Sequence, residues 1–258
     1  MEKELLKIVE EYREDLLEIY GNKLVSCYLY GSALTPSYVP GVSDLNFLII
    51  LSEVNINDLK AYSKVYKKWL KKRVSPPIIA TPEYIRSSLD VFPLEFSEMK
   101  ENHLLVYGAD LLREIEIPFE NLRLQIESEL KGKLLKFRQG IIFLSNDSTE
   151  YKNFFLKTVN AFLPIFRGVL RLYNVKVPYE FFELANKLSD VTGFDKNILY
   201  EIWEIKKGGL ISYDDLNNLY FYFHEEVEKL IKQIDKFKVN NVSKIVNITS
   251  WCRKSSDK

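Results

Sequence analysis

The chain has 258 residues, 47% of them hydrophobic, which is enough for substantial cores and too many for a disordered chain. Lys plus Arg and Asp plus Glu both number 36, so the formal net charge is zero. That argues against a dedicated binder of bulk DNA or RNA, whereas a phosphate site needs only a few local charges.

Residues 2–20 place Leu5, Leu6, Ile8, Val9, Tyr12, Leu16, Leu17 and Tyr20 at helical spacing, and Gly21 ends that helix. The first residues, Met1-Glu2-Lys3-Glu4, are charged and open this amphipathic pattern, unlike a signal peptide. Leu24 to Tyr30 is a buried strand, stopped by Gly31-Ser32. Residues 33–43, with Pro36, Pro40 and Gly41, form a loop, and Leu45 to Leu51 is a second buried strand. Asn57 to Arg73 is helical, with Leu59, Tyr62, Val65, Tyr66 and Leu70 inward and its lysines forming a solvated face. Pro76-Pro77 breaks it, Ile78-Ile79-Ala80 is a short strand, and Thr81-Pro82 opens a short helix. Val91 to Met99 alternates loosely and is expected to be a third main strand, with Pro93 at an edge or bulge.

Helical periods then cover 120–144, 149–174, 179–190, 195–206 and 212–237, with Asn121 and Ser148 as expected caps and Pro164 as an expected kink. The fold class expected is α/β (α+β): a mixed sheet with flanking helices in 1–117, then a helical bundle in 118–238 and a polar tail in 239–258. Cys27 lies in a buried strand and Cys252 in the tail, so no disulfide is expected and the compartment is a reducing one. The apolar run Phe47 to Leu51 is too short to span a bilayer, so the expected location is cytoplasmic, with no membrane partner.

Chemistry gathers at two strand ends. Gly31-Ser32 follows one strand, and Asp44-Leu45-Asn46-Phe47 opens the next. Alternation puts Asp44 and Asn46 on one face, opposite Leu45 and Phe47. Polar groups on a strand face are costly to bury, so that face should line a wet cleft or hold an ion.

This pattern resembles the nucleotidyltransferase superfamily, whose hallmark is a Gly-Ser turn followed about ten residues later by two acids flanking an apolar residue. The stretch Tyr30-Gly31-Ser32-Ala33 through Ser43-Asp44-Leu45-Asn46-Phe47-Leu48-Ile49 is most similar to aminoglycoside adenylyltransferases and minimal nucleotidyltransferases. The resemblance implies transfer of AMP from ATP, with Mg²⁺, to a hydroxyl of a small molecule or a protein; a tRNA acceptor is less favoured. It assigns Gly31 and Ser32 to the phosphates, and Asp44 and Asn46 to the metal. Leu94-Glu95-Phe96-Ser97 resembles the strand carrying the catalytic base, which makes Glu95 the third acid and metal ligand, ahead of Glu98 and Asp90. Lys133 is a further nucleotide-binding candidate, since Lys133 or Arg138 could reach into an interdomain cleft, although ion pairs within their helix are the simpler reading.

The sequence departs from the superfamily pattern at Asn46, where an acid is usual. An amide keeps one oxygen ligand and loses a charge. The alternative function is therefore a catalytically impaired relative that binds nucleotide or a protein partner. His103 and His224 are expected on separate helices, without a zinc site. Tyr220-Phe221-Tyr222-Phe223 is expected to be a helix packing face, with Tyr220 or Tyr222 lining a cleft as the alternative.

Overall fold

A computed structural model describes residues 3–36, 38–144 and 148–239. Cys252 and the tail from residue 240 lie outside the described residues, and so does the side chain of Ser148. Helix α1 (Lys3–Tyr20) and a 3-10 turn lead into β1 (Leu24–Tyr30), followed by a second 3-10 turn (Gly31–Leu34) and β2 (Asn46–Leu51). Next come α2 (Ile56–Leu70), β3 (Ile78–Ala80), α3 (Pro82–Ser88), α4 (Pro93–Glu101), β4 (His103–Gly108) and α5 (Leu111–Glu114). Five helices complete the described chain: α6 (Phe119–Leu144), α7 (Ser148–Leu172), α8 (Phe181–Thr192), α9 (Lys196–Lys206) and α10 (Tyr213–Asp235). Among the described residues, no helix is long and apolar enough to cross a membrane.

The sheet is mixed, with strand order β3-β2-β1-β4. Strand β1 is antiparallel to both β2 and β4, and β2 is parallel to β3. Alternation sorts the central strands into two cores. Cys27, Leu29, Phe47 and Ile49 face Tyr12 and Leu16 of α1 and Tyr62 and Trp69 of α2. Tyr28, Leu48 and Ile50 face Phe96 and Met99 of α4, together with Leu112 and Ile115. The sheet therefore has helices on both faces.

In α2 the inward stripe runs through Asp58, Tyr62 and Trp69, while Leu59 and Leu70 are exposed. The expected stripe is thus rotated. Asn55 caps α2 in a capping box with Asp58, and Trp69 Nε1 donates to Asp15 of α1 at 3.0 Å, which fixes that rotation. The lysines of α2 are not merely solvated: Lys68 and Lys72 pair with Asp15 and Glu11 of α1.

The largest departure from expectation is at 91–99, which is helix α4 rather than a strand. Pro93 stands in the first helical turn, where its missing N–H costs nothing. Gln125 Oε1 accepts the free N–H of Leu94 at 2.8 Å. The segment buries residues on two sides, Leu94 toward the helical core and Phe96 and Met99 toward the sheet. Burial on two sides blurs the helical period and imitates alternation. The missing strand is β4, so His103 opens a strand instead of lying in a helix.

The helices from α6 onward share one core rich in aromatic rings, which includes Phe137, Phe155, Phe162, Phe166 and Phe223. Tyr220 stacks on Tyr151 and Phe155 at 4.2 Å, and its hydroxyl donates to the Tyr151 carbonyl at 2.8 Å. Phe221 and Tyr222 face solvent. Asn121 lies inside α6 and donates to the Asp90 carbonyl at 3.1 Å, so it is not the expected cap. Pro164 lies inside α7. Helix α4 joins the two parts: it packs on α6 and α7, and Gly168 of α7 lets Leu94 approach so closely that an added Cβ would lie 2.3 Å from Leu94 Cδ2.

Candidate active site

Strand β1 ends where Gly31 takes φ +83°, a left-handed conformation that favours glycine. A Cβ there would also lie 3.3 Å from the side-chain nitrogen of Asn46. The turn and the start of β2 are therefore neighbours: Tyr30 pairs with Asn46 in the ladder, and Asn102 Nδ2 donates to the Gly31 carbonyl at 3.1 Å. Ser32 is exposed in the 3-10 turn.

Asp44 and Asn46 flank the buried Leu45 at the start of β2. Leu45 is tied to the segment after α2: its N–H donates to the Arg73 carbonyl at 2.8 Å, and its carbonyl accepts from Ser75 at 3.0 Å. Arg73 holds φ +65° in that segment. Its Nη2 lies 2.8 Å from Asp44 Oδ1, with the two side chains 50% and 57% exposed, and also donates to the Val42 carbonyl at 2.6 Å. Sequence reading missed Arg73. Its distance from Asp44 along the chain left no local signal, and only the Leu45–Val74 bridge brings the two together.

The other expected residues fall elsewhere. Glu95 is in the first turn of α4, exposed, and its Oε2 accepts from Gln125 Nε2 at 2.9 Å. One turn later comes Glu98. Its charge adds to burial in raising the hydroxyl pKa of Tyr30, the residue before Gly31, and its Oε1 is 3.9 Å from Arg167 Nη1 of α7. Lys133 pairs with Glu129 on its own helix at 3.1 Å. Arg123, Glu127 and Lys131 form the expected chain of pairs along α6.

Among the described residues, the trio of His, Cys, Asp or Glu ligand atoms close enough to share an ion is His224, Glu225 and Glu228. A guanidinium already sits there: Arg138 Nε donates to His224 Nε2 at 3.0 Å and Arg138 pairs with Glu228. At the start of β2 the available donors are the Asp44 carboxylate and the Asn46 amide oxygen. Hard oxygen donors of this kind fit Mg²⁺, which binds through one or two carboxylates together with substrate phosphates and water. Arg73 is the competing cation.

No family model matches the sequence, and no curated protein matches it. Among solved structures, the chain is similar to spectinomycin adenyltransferase AAD(9) from Enterococcus faecialis, crystallised with ATP and spectinomycin. The identity is 14% and the TM-score 0.52, over 86% of this chain and 99% of that one. At that identity the likeness speaks for the fold: a nucleotidyltransferase-type mixed sheet with helices behind it.

Proposed function

We propose that this chain, which carries the nucleotidyltransferase fold, transfers AMP from ATP to a hydroxyl of a small molecule or a protein. The observation that carries the reading is the meeting of the Gly31 turn with Asn46 and Asp44 at adjoining strand ends. We take 1–117 and 118–238 as two units, with the acceptor between them, since such clefts are common ligand sites.

Each residue then has a task. The Gly31-Ser32 turn, with no Cβ at its first position, lets backbone N–H groups approach phosphate oxygens. Asp44 and Asn46 would hold Mg²⁺, which when bound neutralises phosphate charge and polarises the α-phosphate. Arg73 releases Asp44 as the nucleotide arrives, and its guanidinium becomes available to a phosphate oxygen. The third acid in this reading is Glu98 rather than Glu95. Supporting Glu98 are the reach of its charge to the Tyr30 hydroxyl and its ion pair with Arg167, whereas Glu95 is engaged by Gln125. Glu98 would accept the proton of the attacking hydroxyl.

Calorimetric titration of ATP with and without Mg²⁺ tests the reading. Wild type should bind ATP more tightly with Mg²⁺, and Asp44→Ala should lose that gain. Metal-independent ATP binding that ignores Asp44→Ala sinks it.

A second reading rests on the Arg73–Asp44 pair. With Asn46 in place of an acid and a guanidinium on Asp44, the site would bind nucleotide through Arg73 without turnover. It expects Asn46→Asp to raise Mg²⁺ affinity by about tenfold or more, the effect of one added carboxylate. No change in that variant counts against it.

A further inference from the structure

We propose that the cleft between α4 and the C-terminal end of α7 binds a small amphiphilic oxyanion, a molecule with a phosphate or carboxylate head and an apolar body. The cleft encloses about 550 Å³, within the range of roughly 300–1,000 Å³ usual for small-molecule sites. Its polar wall carries Arg171, Lys100, Lys176 and Tyr179 against the single carboxylate of Glu101, and its apolar wall includes Phe119 and Val175.

The lining is short of acceptors. Arg171 is 6% exposed. Its Nε and Nη2 both donate to Glu101 Oε2, at 3.0 and 2.8 Å, but its Nη1 is buried without a hydrogen-bond partner. Two buried side-chain polar atoms of this lining lack a hydrogen-bond partner among the described residues: Arg171 Nη1 and Tyr179 OH. Buried polar groups are almost always paired, so two unpaired ones in one cleft point to an absent partner. Both can donate, and an oxyanion offers several acceptor oxygens. Lys100 spends one N–H on the Ile115 carbonyl at 2.6 Å and retains the others. Lys176 is exposed at the rim, where it can close over a head group.

This cleft does not rest on the nucleotide reading. Glu98 and Arg167 lie one turn earlier on the same two helices, and no residue of the Gly31 turn or of the start of β2 lines the cleft. A ligand here would span the seam between the sheet region and the helices, because its wall draws on α4 from one side and α7 from the other.

The test is calorimetric titration of the full chain with phenyl phosphate and, separately, with benzoate, using benzyl alcohol as the neutral control. At least one anion should bind about tenfold or more tighter than the alcohol, and the tighter of the two identifies the head group. Lys176→Glu, at an exposed position, should weaken that binding by about tenfold while leaving the unfolding curve unchanged. Arg171→Gln should weaken it further, and is read beside its own unfolding curve. The anion should still bind in the presence of saturating ATP and Mg²⁺. The proposal is overturned if neither anion binds, if Lys176→Glu leaves the affinity unchanged, or if ATP displaces the anion.

Discussion

At the start of β2, Asp44 meets Arg73 with both side chains about half exposed; at the seam of α4 and α7, Arg171 meets Glu101 with its own side chain 5% exposed. The same two chemical groups have different consequences in these two places. Water screens the first pair, so it contributes little to stability and either partner can be exchanged for another ion. The second pair has lost most of its water, so the guanidinium depends on its protein partners and on whatever enters the cleft. The exposed pair suits a site where charge must rearrange. The buried one suits a site whose geometry is fixed beforehand.

Several substitutions sharpen this contrast. The helical core sets the scale: Phe155→Ala removes a fully buried ring packed on Tyr220, and should cost about 3–5 kcal/mol in urea unfolding. Glu101→Ala should come next. It strands the Arg171 guanidinium, but Glu101 is itself 43% exposed, so we expect about 2 kcal/mol, below the full cost of breaking a buried pair. A cost under half of that would mean that water reaches Arg171, and the contrast between the two regions would fail.

Under the sheet, Tyr12 and Tyr62 share a buried hydroxyl bond of 2.8 Å. Burial pushes the Tyr62 hydroxyl up to about 12. Its folded value thus exceeds the unfolded one near 10, so its contribution to stability is whole below pH 10 and is lost as pH rises toward 12. Tyr62→Phe should cost about 1–2 kcal/mol at neutral pH. It should also flatten the alkaline fall by up to about 1.4 kcal/mol per pH unit, read from unfolding curves between pH 9 and 12.

Arg73→Ala should have the smallest effect on stability, within about 1 kcal/mol. It should nevertheless raise Mg²⁺ affinity severalfold by freeing Asp44, as measured by calorimetry. A large stability loss with unchanged metal binding would make Arg73 a structural strut and remove the contrast from the other side.

Much of the sheet region is legible in the sequence because its signals are local. The run Leu24 to Tyr30, the Gly31 turn and the alternation through Leu45, Asn46 and Phe47 each rest on neighbours in the chain, and the structure brings Gly31 and Asn46 together. The later helices are legible for the same reason. The segment 91–99 misleads because α4 buries residues on two sides, as connecting elements do, and β4 is only partly buried at the sheet edge.

The sequence by itself determined the strand–turn–strand core, the helices before and after the 91–114 stretch and the polar pair at the start of β2, since periodicity and turn chemistry act over a few residues. Only the tertiary structure decided which distant charges meet: Arg73 on Asp44, Arg167 beside Glu98 and Arg171 on Glu101. Those pairings depend on how helices dock, and docking is settled by burial summed over many contacts, which no short stretch of chain encodes.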